Sequence, residues 1–166
     1  TSWAGRGVLP ETNELAMPMA LIKLNNQVRN DADVVLCVGS RLGETDWWGK
    51  APNWRHPSEQ KMIQVDIDGL NLGANKPATL AVLADAKLFL AALATELEAR
   101  QARMNLDARR RQVAKYHETI RSERAKLDEK LQDMAVPMNS AHVAHVCQQV
   151  FPEGTTTRGE QVLPFQ

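Results

Sequence analysis

The chain has 166 residues, 43% of them hydrophobic, which is enough for one folded domain with an appendage. Its 20 Lys and Arg residues balance 20 Asp and Glu residues, so the formal net charge is 0. This balance excludes the basic surface typical of nucleic-acid-binding domains and gives no attraction to an anionic membrane. No apolar run reaches the ~18 residues of a membrane span, and no secretory signal is visible. We therefore expect a cytoplasmic protein. Because the chain begins with Thr1, we expect its true N-terminus to be missing.

Three short apolar runs lie near residues 34–39, 62–66 and 80–84. They lack polar alternation, which is typical of strands buried on both faces of a parallel sheet. A helix is predicted before the first run, near residues 13–30 with an interruption at Pro18, and another near residues 86–98 after the last run. The sequence therefore predicts an α/β fold, in which a parallel, Rossmann-like sheet is flanked by helices. In the second of these helices, Phe89, Leu90, Leu93 and Leu97 recur at helical spacing and predict one buried face.

A long helix is predicted after this domain, because neither Gly nor Pro occurs from Ala78 to Val136. Its apolar residues recur every seven positions, at Leu106, Val113, Ile120 and Leu127. So narrow a stripe on a charged helix indicates a solvated connector that lies against its own protein. Pro137 ends this helix, and Asn139 or Ser140 is placed to cap another that runs through Val150.

Polar residues follow each predicted strand: Gly39 and Arg41 after the first, Asp66 at the end of the second, and Asp85 after the third. The carboxyl ends of parallel strands meet at one edge of the sheet, where open α/β sheets bind ligands. Asp66 and Asp85 are suited to accept hydrogen bonds from a ribose, Gly39 allows close backbone approach, and Arg41 can pair with a phosphate. These four residues are the candidate cofactor-binding site. Alternatively, Asp66 shapes a loop and Asp85 caps a helix.

Other conspicuous residues favour structural roles. Cys37 lies inside the first predicted strand and is interpreted as a small core residue. His142 and His145 lie three apart on a predicted helix, but no nearby residues complete a metal site. The indoles of Trp47, Trp48 and Trp54 fall within eight positions. They either pack a loop on its own sheet or contact another domain or subunit.

The order of several short segments resembles the central domain of thiamine diphosphate-dependent decarboxylases and carboligases, the family of acetolactate synthase, pyruvate oxidase and oxalyl-CoA decarboxylase. The matching segments are Gly5-Arg6-Gly7, Pro10-Glu11, Ala32-Asp33-Val34-Val35-Leu36, Gly39-Ser40-Arg41, Gln64-Val65-Asp66-Ile67-Asp68, Leu72-Gly73-Ala74-Asn75 and Ala84-Asp85-Ala86-Lys87. The resemblance implies four regions. Residues 1–98 are a central domain without its N-terminal part, 99–136 a connector helix, 137–157 the start of a pyrophosphate-binding domain, and 158–166 an aberrant or truncated tail.

The resemblance also implies chemistry for a full-length parent. That parent would use thiamine diphosphate with Mg²⁺ to decarboxylate a 2-oxo acid or an acyl-CoA relative, or to join two substrates, as a homodimer or homotetramer. Some members bind FAD or ADP in the central domain. However, the Gly-Asp-Gly motif that holds the metal and diphosphate is absent from this chain. We therefore expect a fragment that is inactive alone, with no catalytic residue of its own. The alternatives are a stand-alone nucleotide-binding module and a structural interaction domain.

Overall fold

The computed structural model describes residues 5–10, 12–100 and 106–151. The chain divides into two compact units, Thr1–Thr119 and Ile120–Gln166. The predicted domain boundaries at residues 98 and 136 remain predictions. The predicted tail, 158–166, lies outside the described residues.

Parallel strands form the centre of the first unit. In chain order, the elements are α1 (Ile22–Asp31), β1 (Val34–Val38), β2 (Lys61–Asp66), β3 (Leu80–Leu83), α2 (Ala86–Arg100) and α3 (Asp107–Leu131), whose last residues belong to the second unit. The strand order is β1-β2-β3, with Leu36 opposite Ile63 and Val65 opposite Val82. This arrangement confirms the predicted α/β fold class with a long helix after the sheet. The first helix is shorter than predicted, because it begins only beyond Pro18.

One cluster of buried hydrophobic residues lies in the first unit. Its buried residues are Cys37, Leu42, Trp54 and Met62, and the partly buried Val35 and Ala78 pack against them. Trp54 is therefore a core residue of its own domain, held by a hydrogen bond from its Nε1 to the carbonyl oxygen of Asp46, at 2.8 Å. Trp48, by contrast, is exposed.

Helix α2 is less covered than its spacing predicts. Phe89 and Leu93 are half-buried, whereas Leu90 and Leu97 are exposed, and none of the helix's residues is buried. The prediction that one face of this helix is buried is therefore wrong, because two of its four residues are only half-buried and the other two are exposed. The physical reason is that the described sheet has three strands, so that it covers only part of a helix of 15 residues.

The first half of α3 lies against its own unit through Tyr116, which is buried. The Tyr116 hydroxyl donates a hydrogen bond of 2.8 Å to Oδ2 of Asp31, the last residue of α1, and Gln112 donates to the same oxygen at 3.2 Å. His117 contacts the carbonyl oxygen of Glu14. The buried residue of this helix, Tyr116, is thus not one of the apolar residues that recur every seven positions.

The second unit contains α4 (Ser140–Val150), which begins as its sequence predicts. Oδ1 of Asn139 accepts hydrogen bonds from the backbone N–H groups of Ala141 and His142, at 2.8 and 3.3 Å. His142 is buried, and its Nδ1 lies 2.7 Å from the carbonyl oxygen of Leu131. Within the described ranges, no cluster of three His, Cys, Asp or Glu side chains is arranged to hold a metal ion. None of the described helices is long and apolar enough to cross a membrane.

The burial of Cys37 generates a testable prediction about pH. Burial raises the pKa of the Cys37 thiol from 9.0 to about 11. The unfolded thiol therefore ionises first, so the contribution of Cys37 to stability is complete below pH 9 and is lost as the pH rises from 9 to 11. We expect the stability difference between wild type and Cys37→Ala, measured by urea unfolding under reducing conditions, to shrink over this range.

The matched control is Cys147→Ala, because Cys147 is only half-buried. Iodoacetamide at pH 8 should modify Cys147 in the folded chain and leave Cys37 unmodified. Equal labelling of both thiols would contradict the burial of Cys37.

Candidate functional site

The carboxyl ends of the three strands place the predicted site residues along one edge of the sheet. Gly39 directly follows β1, Asp66 is the last residue of β2, and Asp85 stands two positions after β3. Arg41 lies in the segment that leaves Gly39. Because the strands are parallel and hydrogen-bonded neighbours, this edge is the expected ligand side of the sheet.

Gly39 allows the chain to turn away from β1 and leaves the edge open. Its φ is +65°, a left-handed conformation that favours glycine. Its N–H donates to the carbonyl oxygen of Val65 at 2.8 Å, which holds the turn against β2. A Cβ at this position would have no atom within 4 Å, so the space beside the backbone is free for a ligand.

Arg41 presents an available cation at the same edge. Its side chain is exposed, and within the described part of the chain its guanidinium makes no hydrogen bond or ion pair. Its carbonyl oxygen accepts a hydrogen bond of 2.8 Å from Nδ2 of Asn75, which fixes the backbone at this position. Arg41 is therefore free to pair with a phosphate.

The carboxylates of Asp66 and Asp85 already accept hydrogen bonds within the protein. Oδ1 of the buried Asp66 accepts hydrogen bonds from the N–H of Asp68, at 2.9 Å, and from Nδ2 of Asn71, at 3.3 Å. Oδ1 of Asp85 accepts from the N–H of Leu88 at 3.0 Å and so caps the first turn of α2. The structural interpretation of both residues is therefore confirmed. Each carboxylate has a second oxygen, so these bonds do not exclude a ligand.

Gln64 organises this edge, although the sequence analysis did not single it out as a site residue. It lies on the central strand and is 1% exposed. Its Nε2 donates to the carbonyl oxygens of Ser40, at 2.9 Å, and Asn71, at 3.0 Å, while its Oε1 accepts from the N–H of Gly73 at 2.7 Å. One amide thus joins the loop that follows β1 to the loop that follows β2. The available signal was a polar residue between the apolar Ile63 and Val65 of a buried strand.

Lys76 is a second polar residue whose burial the sequence did not indicate. It is 2% exposed, and its Nζ donates to the carbonyl oxygen of Arg55 at 2.6 Å and lies 5.6 Å from the ring of Trp54. Desolvation lowers the pKa of this ammonium group. Gly49 makes the contact possible, because a Cβ there would stand 2.6 Å from Cβ of Lys76. Lys76 therefore joins the tryptophan-containing loop, which lies between β1 and β2 and includes Trp47 and Trp54, to the loop that precedes β3.

Removal of the Gln64 amide tests whether it holds the edge together. Gln64→Leu would leave the N–H of Gly73 and two carbonyl groups without their partner, so we expect a loss of about 3 kcal/mol in the free energy of unfolding. Urea denaturation measures this loss. Gln27→Leu, at an exposed position on α1, is the matched control and should change stability little. Equal stability of the two variants would show that the loops do not depend on Gln64.

Comparison with known proteins agrees with this architecture. Residues 1–93 match the family described as "Thiamine pyrophosphate enzyme, central domain". This match includes all three strands and each of the four candidate site residues.

Three curated proteins are similar in sequence to this chain. A "Probable 2-ketoarginine decarboxylase" from Pseudomonas aeruginosa is 34% identical over 128 residues, which cover 76% of this chain and 22% of that protein. A sulfoacetaldehyde acetyltransferase from Rhodobacter capsulatus is 29% identical over 121 residues, 68% of this chain and 19% of the relative. Acetolactate synthase 2, chloroplastic, from Nicotiana tabacum is 29% identical over 106 residues, 62% of this chain and 16% of the relative. The chain thus spans about a fifth of the length of the relatives it matches. With its parallel sheet and its family match over residues 1–93, the chain belongs to the thiamine pyrophosphate enzymes, as part of their central domain.

Proposed function

We propose that this chain is the central-domain part of a thiamine diphosphate-dependent enzyme that decarboxylates a 2-oxo acid or an acyl-CoA relative, or joins two substrates by carboligation. The family match over residues 1–93 is the observation that carries this proposal. The names of the relatives agree with this range, because they include a 2-ketoarginine decarboxylase, an acetyltransferase and an acetolactate synthase.

We infer that thiamine diphosphate and Mg²⁺ bind to parts of the parent outside these 166 residues. The chain has no Gly-Asp-Gly sequence. The described residues offer no group of carboxylate, imidazole and thiol ligands for a cation. The residues present therefore do not fit this cofactor, and no catalytic step is assigned to them. Their contribution in the parent is a folded platform beside the catalytic domains.

We propose that the platform binds an ADP group, alone or as part of FAD, over the carboxyl edge of the sheet. The open backbone at Gly39 admits a phosphate, and the exposed guanidinium of Arg41 supplies its counter-charge. The second carboxylate oxygens of Asp66 and Asp85 are suited to accept hydrogen bonds from ribose hydroxyl groups.

We further propose a cytoplasmic homodimer or homotetramer as the assembly of the parent. Val34 and Leu36, on the edge strand β1, are 49% and 40% exposed. Exposed apolar groups on an edge strand favour coverage by another part of the protein or by a second subunit. This surface supports assembly.

The proposed division of roles makes a prediction about catalysis. The 166-residue chain should show no saturable heat with thiamine diphosphate and Mg²⁺ by calorimetry, and should release no CO₂ from 2-oxo acids. A longer natural protein that contains this segment should do both. Metal-dependent, stoichiometric cofactor binding by the chain itself would contradict the proposed division of roles.

The second prediction concerns the nucleotide and also separates the alternatives. ADP should bind, and Arg41→Gln should weaken binding about tenfold by removal of one charged contact. Asp66→Asn should have a similar effect, because the amide oxygen still accepts the two loop hydrogen bonds while the charge is lost. Arg111→Gln, an exposed change on α3, is the control.

Each outcome distinguishes one interpretation. Binding of ADP or FAD without any activity in the longer protein would favour a stand-alone nucleotide-binding module. Absence of nucleotide binding together with concentration-dependent oligomers would favour an interaction domain. Unchanged ADP affinity in both variants would show that ADP binds elsewhere on the chain and not at this edge of the sheet.

A further inference from the structure

A separate cavity of about 290 Å³ opens in the first unit beside the start of α1. Apolar side chains form most of its walls, among them Met17, Met19, Ile22 and Trp47. None of its lining residues belongs to the four candidate nucleotide-binding positions. Its volume is at the lower end of small-molecule sites, which suits a ligand of about one aromatic ring with a short polar group.

Two opposite charges, Arg29 and Asp46, also line this cavity. Their side chains are only 18% and 16% exposed, and Nη1 of Arg29 lies 3.8 Å from Oδ1 of Asp46. The guanidinium also donates from Nε to the carbonyl oxygen of Asn25, at 3.3 Å, and from Nη2 to Oδ1 of Asn26. The Nη1–Oδ1 separation is too long for a direct hydrogen bond, so Nη1 of Arg29 and the carboxylate of Asp46 keep capacity for a further partner. Desolvation lowers the pKa of Arg29 and raises the pKa of Asp46, although their mutual attraction opposes both shifts.

Aromatic rings hold this pair in place. The guanidinium carbon of Arg29 lies 5.1 Å from the ring centre of Trp47 and 4.9 Å from that of Trp54. Nε1 of Trp54 donates to the backbone carbonyl of Asp46, which fixes the residue that carries the carboxylate. Trp47 has a φ of +51°, in the left-handed region that bulky residues rarely adopt. The loop therefore holds an indole in an unfavourable conformation at the cavity wall.

From this geometry we propose that the cavity binds a small uncharged amphiphile, with an apolar body against the methionines and Trp47 and a hydroxyl or amide head between Arg29 and Asp46. Such a head accepts a hydrogen bond from the guanidinium and donates one to the carboxylate. The charges of the two residues sum to zero, so a charged ligand would lose its hydration without gaining an unpaired counter-ion. The site thus selects against both anions and cations.

The test uses three probes of nearly equal size: phenylacetamide, phenylacetate and phenethylammonium. In ¹H–¹⁵N spectra of the 166-residue chain, phenylacetamide should shift the indole N–H signals of Trp47 and Trp54 in a saturable manner, at least about fivefold more tightly than either charged probe. The exposed Trp48 serves as the internal reference and should shift less. No saturable shift with phenylacetamide up to about 20 mM, or equal affinity for all three probes, would overturn the proposal.

Two variants test the role of the charges and the location. Asp46→Asn leaves Arg29 as an uncompensated cation, so the preference should reverse in favour of phenylacetate, and binding by this variant also shows that it folds. Ile22→Phe should narrow the cavity and weaken the binding of phenylacetamide, whereas Leu70→Phe, at an exposed leucine after β2 that does not line the cavity, is the matched control. An unchanged probe preference in Asp46→Asn, or equal affinities in Ile22→Phe and Leu70→Phe, would place the binding elsewhere and overturn the proposal.

Discussion

The first unit depends on two buried glutamine amides at the two ends of β2. At the carboxyl end, Gln64 hydrogen-bonds to both neighbouring loops. At the amino end, Nε2 of Gln60 donates to the carbonyl oxygens of Arg29, at 2.6 Å, and Ala32, at 2.9 Å, and so joins α1 to the start of β1. A three-stranded sheet buries little apolar surface, so the position of its loops cannot rest on hydrophobic contacts alone. Directional hydrogen bonds from the central strand supply this order.

Charged groups play a similar part in the tryptophan-containing loop. Arg29 and Lys76 both lie near Trp54, and Asp46 stands beside Arg29. Burial of these cations is costly, and it lowers the pKa of each. The ring faces and backbone carbonyls around them offset part of it, because they orient negative charge toward the cations. The loop is thus positioned by polar groups that water would otherwise surround. Two of them, Arg29 and Asp46, line the mostly apolar cavity beside α1.

The strands could be predicted from the sequence because their signal is local. The apolar runs predicted at residues 34–39, 62–66 and 80–84 correspond to Val34–Val38, Lys61–Asp66 and Leu80–Leu83, with ends that differ by one residue. The N-cap of α4 was also predictable, since Asn139 acts on residues next to it. Gln60, Gln64 and Lys76 were not, because their types are usually exposed and only tertiary contacts bury them. The partial burial of α2 likewise depends on how many strands lie beside the helix, and the sequence of the helix alone does not specify that number.

The carboxylates at the sheet edge show why the site is harder to predict than the fold. An aspartate at the end of a parallel strand serves equally well to receive a ribose or to fix the next turn, and both uses employ the same hydrogen-bond acceptor. Asp66 and Asp85 do the second in this chain. Their presence therefore follows from the fold whether or not a nucleotide binds. Arg41 is different, since its guanidinium makes no hydrogen bond or ion pair with the residues that the structure describes. Arg41 and the open backbone at Gly39 therefore support a nucleotide site at this edge more strongly than the two carboxylates do.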